Sequence, residues 1–318
     1  MPLPGTPEPL PVREQRVIAA LQCDGRVTAE RAAAVLGLGP RDVHRSLKKL
    51  LGDGSVQVLG SRPRDDAAGA MMLRVRVLRG RIEAITSALA ARDDIPLIDV
   101  SASGDEISAV LLPGAGPGNR LVLEQLPATG AVTSVSAQTV LHVFSDATDW
   151  RLDVLTDDER TALTPESGPA AYPSPLDGPD EAIVTALEGD GRLTAAAVAA
   201  RTGLAESTVR RRLAALLSGR RLLTQVVVDP RRLGMGIDAN VWMEVPPDHL
   251  DAAGRALARH PAVHGALATS GTANLCVAVW LRDARALYRF LTEELTGRSI
   301  TRTETILVGR AVKRPGRG

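Results

Sequence analysis

The chain has 318 residues, room for two or more domains, and its 44% apolar and 24% charged content is that of a globular protein rather than a disordered one. Aromatic residues are only 2%, which argues against a platform for stacking single-stranded bases and leaves the cores to Ala, Val, Leu and Ile. With a net charge of +1, any grip on phosphates has to come from local clustering of cations.

The proline-rich start, 1–11, lacks the apolar centre of a signal peptide, and no apolar run approaches the about 18 residues of a membrane span. A cytoplasmic protein with no membrane partner is expected. From residue 13 onward the dominant signal is an internal repeat. At an offset of 166 residues, 17–56 lies on 183–222 without a gap, with sixteen identities in forty positions. Ala20-Leu21, Asp24-Gly25-Arg26, Thr28-Ala29, Gly37-Leu38, Val43, Arg45, Leu47 and Leu50-Leu51 all recur.

Each copy reads as three helices. The first covers 13–22 and 179–188 and ends at an Asp-Gly pair, read as a chain reversal through a positive φ. Thr28 and Thr194 stand at the N-cap of an Ala-rich second helix that stops at Gly37 and Gly203. In the third helix of the second copy, Val209, Leu213, Leu216 and Leu217 share one face at 3.6-residue spacing, which sends Arg211 outward. Two helices across a tight turn, the second rich in arginine, is the pattern of a helix-turn-helix reader of the DNA major groove. The candidate DNA contacts there are Ser207, Thr208, Arg210, Arg211, Arg212, Arg220 and Arg221, with Arg211 forking onto guanine and the flanking arginines on phosphates. The first copy offers Arg41, His44, Arg45 and Lys48. Six arginines face one acid in 201–222, whereas 35–56 has four basic and two acidic residues, so the second copy is expected to bind more strongly.

A second repeated pattern follows each helical copy. Alternation predicts strands at 71–78, 96–103, 107–112 and 132–144 with helices at 82–92 and 119–126. In the second half the strands fall at 237–245, 262–270, 275–281 and 301–310 and the helices at 250–260 and 284–295. The order βαββαβ predicts a four-stranded antiparallel sheet with two helices on one face. The fold class is therefore α+β, with two winged-type helix-turn-helix domains (1–60 and 179–228) alternating with two ferredoxin-like domains (70–145 and 235–312). A linker over 146–178 holds a short amphipathic segment, 150–163, in which Trp150 is an anchor, and then a Pro/Gly-rich connector.

These motifs, in this order, resemble the Lrp/AsnC (feast/famine) family of transcription regulators, most closely in LDGPDEAIVTALEGDGRLTAAAVAARTGLAESTVRRRL and in VVVDPRRLG with Asp229 and Gly234. The resemblance implies a double-stranded DNA-binding regulator, two subunits fused in tandem, that assembles into homo-oligomers and binds a small effector such as an amino acid in the sheet domain. The family's turn between the central strands reads like Thr-Gly-x-Tyr-Asp, which maps the effector site onto Ser270, Gly271, Thr272 and Asn274. On the same alignment the first copy has Ile107 at the acidic position, so effector binding is expected in the second domain rather than the first.

Competing chemistry has little to rest on. The run 114–118, GAGPG, lacks the ending of a phosphate cradle, and His260 and His264 are separated by Pro261. No metal, cofactor or catalytic residue is expected, and Cys23 and Cys276 are read as small buried hydrophobes. Two alternatives stay open. One is a haem-pathway decarboxylase, because such enzymes share the two-domain plan, although His142, His249, His260 and His264 match no catalytic pattern. The other is an assembly scaffold that has lost DNA and effector binding.

Overall fold

A computed structural model describes residues 8–63, 69–112, 120–166 and 175–314; the connector 167–174 and the run 114–118 lie outside them. The chain divides into two units, each made of segments from both halves: residues 1–65 with 151–234, and residues 66–150 with 235–318.

In the helical unit the first copy comprises α1 (Val12–Cys23), α2 (Ala29–Leu36), α3 (Pro40–Gly52) and β1 (Val56–Ser61). The second comprises α6 (Gly178–Glu188), α7 (Ala195–Thr202), α8 (Glu206–Ser218) and β6 (Leu223–Val228). Local chemistry sets the ends: Thr28 and Thr194 accept from the N–H groups of Arg31 and Ala197, and Gly37 and Gly203 close α2 and α7 at φ 64° and 73°. The side chains of Val43, Leu47 and Leu50, and of Val209, Leu213 and Leu216, face the two cores. Between the copies, α5 (Asp157–Leu163) is a helix with a capping box at Thr156 and Glu159, and it packs on α1 and α2 through Glu159 to Arg16 and the Ala162 carbonyl to Arg31.

Neither copy closes a wing of its own, as the winged-type expectation would have it. Instead β1 and β6 pair with each other, antiparallel from Val56↔Val228 to Ser61↔Leu223. The Asp-Gly-Arg motifs hold the same junction. The Arg26 guanidinium donates to the carbonyls of Gly191 and Leu193 (2.9 Å to the latter), and Arg192 donates to those of Gly25 and Val27 (3.1 Å to the latter). Burial lowers the pKa of both arginines, against the pull of Asp24 and Asp190. The glycines of this motif do not take a positive φ, contrary to the chain-reversal reading; they permit close approach. A Cβ on Gly191 would lie 2.8 Å from the Leu59 carbonyl carbon, and one on Gly25 2.6 Å from Thr224.

The sheet unit contains β2 (Met71–Val77), α4 (Ile82–Ala90), β3 (Leu97–Ser101), β4 (Glu106–Leu111) and β5 (Val132–Ser145) from the first half. The second half supplies β7 (Ile237–Glu244), α9 (Pro247–Ala258), β8 (Val263–Thr269), β9 (Leu275–Leu281), α10 (Ala284–Arg289) and β10 (Arg302–Lys313). The second helix expected in the first half is a wide turn of π type over Leu121–Gln125, and α10 continues as another over Phe290–Glu294.

The expectation of two separate ferredoxin-like domains is corrected here. All eight strands form one closed barrel in the order β10-β3-β4-β2-β5-β8-β9-β7. Within each half the order is that of a ferredoxin-like sheet. Two cross-half seams close the ring: β5 with β8 (Val140↔Thr269) and β10 with β3 (Val308↔Ser101), each carrying bulges. The physical reason lies in the edges, since each four-stranded sheet alone would leave a row of unpaired backbone groups on two sides, and closure satisfies both. One face of each sheet packs on its helices, through Leu73, Val75 and Ile107 in the first half and Val241, Met243 and Leu275 in the second. Opposite faces meet in a shared interior around Met72, Val140, Trp242 and Cys276.

Because the Arg26 and Arg192 exchange depends on close backbone approach, Gly191→Ala is expected to lower unfolding free energy by about 1–3 kcal/mol. Gly189→Ala, which meets nothing within 4 Å, is expected to leave it unchanged or raise it by up to about 1 kcal/mol in the same urea titration.

Candidate nucleic-acid interface and effector loop

Helices α3 and α8 place their candidate side chains on the face away from the core. Ser207, Arg210, Arg211 and Arg220 are exposed, Thr208, Arg212 and Arg221 half-buried, and in α3 Arg41, His44, Arg45 and Lys48 are all exposed. Ion pairing divides the arginines. Arg210 holds Glu206 at 2.6 Å one turn back. Arg212 is committed to the start of α6, 2.8 Å from both Asp177 and Asp180, and Arg221 reaches the Pro175 carbonyl at 3.1 Å and Asp180 at 3.6 Å. Asp177 sits below the usual carboxylate range because the Asp180 N–H donates to it, with Arg212 adding to the effect. These two arginines therefore fasten α8 and its C-terminal turn to α6. Arg211 and Arg220 make no ion pair among the described residues, and Arg220 projects from a left-handed turn at φ 53°. The first copy has Ser46 where the second has Arg212, and its buried Glu14, the counterpart of Asp180, keeps one carboxylate oxygen unpartnered.

The effector loop is tied to its surroundings. Asn274 spends both side-chain groups on Val245, accepting from its N–H at 3.0 Å and donating to its carbonyl at 2.8 Å. The Ser270 hydroxyl accepts from the Thr139 N–H at 2.9 Å, and Gly271, at φ 100°, leaves room for Gln138. Thr272 is exposed. Strand register also shifts the comparison between the halves by one residue. Ile107 pairs Val75 as Leu275 pairs Met243, all four in apolar layers, so the counterpart of Asn274 is Glu106 and not Ile107. Glu106 is buried and takes Arg74 at 2.7 Å and Arg76 at 3.0 Å; Arg74 also binds Glu304 at 2.7 Å and lies over the Trp242 ring. The first half thus retains an acid at this position, engaged in an ion-pair network.

Sequence reasoning missed a second charged cluster. Arg314 lies between Asp99 of β3 (2.8 Å) and Asp238 of β7 (2.9 Å), and His264 approaches Asp238 at 3.7 Å while stacking on Trp280. Burial pushes the Asp99 carboxyl up to about 6, against the pull of Arg314. Burial acts the same way on Asp238, yet His264, Arg314 and Trp280 together bring it below the ordinary value; burial lowers His264. Trp150 seats here as the expected anchor, its Nε1 donating to the Pro261 carbonyl at 2.9 Å and its ring edge-on to Trp280. The remaining histidines have separate surroundings: His142 sits against Phe144, His249 beside Asp248, and His260 against Phe290. Cys276 is buried, which pushes its thiol up to about 12, and Cys23 is half-buried. Among the described residues no three side chains group as a metal site, and no helix is long and apolar enough to cross a membrane.

The C-terminal half matches two family models: residues 176–217 the AsnC-type helix-turn-helix domain, and 238–317 the Lrp/AsnC ligand binding domain. The C-terminal half carries an Lrp/AsnC-type helix-turn-helix and ligand-binding domain. Among curated proteins, the HTH-type transcriptional regulator FL11 of Pyrococcus horikoshii is 29% identical over 118 residues, 37% of this chain and 78% of its own. FL11 of Pyrococcus furiosus is 28% identical over 134 residues, 42% of this chain and 89% of its own. Among solved structures, the siroheme decarboxylase NirDL in co-complex with an iron-uroporphyrin III analogue superposes with a TM-score of 0.58, covering 95% of this chain and 92% of its own at 16% identity. That likeness is one of fold, and it extends over both halves.

Removing Arg211 should leave the thermal midpoint unchanged, while Arg212→Ala should lower it, as read by differential scanning calorimetry. The carboxyl of Asp99 holds its proton more tightly in the folded than in the unfolded chain, so its contribution is full below about pH 4 and is lost as pH rises through about 6. Relative to Asp99→Asn, the wild type should lose roughly 2–3 kcal/mol of stability between pH 4 and pH 7 in denaturant titrations.

Proposed function

We propose that the chain is a sequence-specific double-stranded DNA-binding transcription regulator of Lrp/AsnC type, built as a tandem duplication of one regulator subunit. The observation that carries this is the presence of α3 and α8 in one unit, each with its apolar face buried and a cationic face outward. Cations concentrated on two such faces supply the sequence-independent hold on phosphates, and side chains near the start of each helix supply base contacts. Arg211 is the principal base reader: it is exposed and unpaired among the described residues, and a guanidinium forks onto the two acceptors of guanine. Arg220 holds phosphate. Arg212 and Arg221 act indirectly, by fixing α8 against α6.

The ligand-binding-domain match supports modulation by a small effector such as an amino acid. Since Asn274 and Ser270 are occupied by backbone partners, Gly271 and Thr272 are the parts of the loop left to meet a ligand. Favouring regulation over a decarboxylase reading are the relatives named above and the separate surroundings of His142, His249, His260 and His264.

Selection from random duplexes followed by gel shift tests the proposal. Arg211→Ala is expected to remove the preference for the selected site over a scrambled duplex. Arg220→Ala is expected to weaken both alike and to reduce the slope of log K against log salt by about 1. Failure of the wild-type chain to enrich any duplex would refute the DNA-reading proposal.

A further inference from the structure

We infer that a single chain reads an asymmetric DNA site, whose two halves differ in base sequence because α3 and α8 present different side chains from equivalent positions. The inference rests on the DNA-binding reading above and specifies the class of duplex it takes.

The two helices are the same length and begin and end at matching positions, Pro40–Gly52 and Glu206–Ser218. Their buried apolar residues are identical in kind: Val43 with Val209, Leu47 with Leu213, Leu50 with Leu216. The outward residues are not. Arg41 stands where the second copy has Ser207, His44 where it has Arg210, and Lys48 where it has Ala214; all six are exposed. Only Arg45 and Arg211 agree, and their environments differ. Arg45 has Asp42 at 3.3 Å, a position that in α8 is Thr208, which carries no charge.

Each difference alters which base edge is favoured. A first-turn arginine such as Arg41 forks onto guanine, whereas the Ser207 hydroxyl donates or accepts with little discrimination. Ala214 offers a methyl group to thymine, and Lys48 offers a charge to phosphate. A homodimer repeats one reading face and is matched by a palindrome. Here both faces are encoded in one chain and are held in one unit by the β1 and β6 ribbon and the Arg26 and Arg192 exchange. Two different faces at one separation call for two different half-sites at one spacing.

The test uses the full chain. Selected duplexes are aligned, and three probes are compared by gel shift: the selected site, and the palindromes made by doubling its left or its right half. The selected site is expected to bind at least tenfold more tightly than either palindrome. The triple variant Arg41→Ser, His44→Arg, Lys48→Ala gives α3 the residues of α8 at these three exposed positions and should shift the relative affinity toward one of the two palindromes. Its thermal midpoint should match the wild type, because all three positions are exposed. Enrichment of a palindrome, or of a single half-site with no preference in its neighbour, would overturn the inference while leaving DNA reading intact. No enrichment of any duplex would overturn both.

Discussion

Two guanidinium groups crossing in opposite directions tie the helical unit together. Arg26 caps backbone carbonyls of the second copy and Arg192 caps those of the first, so each motif completes the other. The exchange works because Gly25 and Gly191 let the backbones approach, and both arginines lose part of their hydration in making it. The β1 and β6 ribbon runs beside this junction. Together they make the relation between α3 and α8 a property of the fold.

The sheet unit solves a related problem by a different route. Its two halves join through strand pairing, and their polar groups settle where the strands of both halves converge. At one place Arg74 gathers Glu106 and Glu304, and at another Arg314 gathers Asp99 and Asp238. In both, an arginine from one half binds an acid from the other. The Arg314–Asp99 pair is buried, so both charges leave water and its net stability is less than its geometry suggests, but losing one partner is costly; Glu304 keeps much of its side chain in solvent. The buried pair therefore resists a slip of one half against the other.

Much of the local structure was legible in the sequence. Apolar spacing placed α8 and the repeat placed α3, Thr28 and Thr194 marked helix starts, Gly37 and Gly203 marked helix ends, and alternation located all eight barrel strands. Partnership between strands was not legible, because alternation tells which face a side chain occupies and is silent on which strand lies beside it. The length of β5 and β10 was a signal for it: 14 and 12 residues exceed what neighbours of 7 and 8 residues can pair. The role of Arg212 was also out of reach, since helical spacing sets direction but cannot reveal that Asp177 and Asp180 stand in that direction. Ile107 was set opposite Asn274 in place of Glu106 for want of one residue of register, information that only the ladder carries.

Closing the barrel through β10 has a consequence for how the chain is made. The edge strand β3 waits for a partner made much later in the chain; the contact of Asp99 with Arg314 spans 215 residues. During synthesis at about 5–20 residues per second, the first sheet stays open along that edge for some tens of seconds. An open edge is a template for strand addition by a neighbouring nascent chain. Pairing of β10 with β3 seals the ring and ends that exposure, so the first sheet is open to strand addition until β10 has been made.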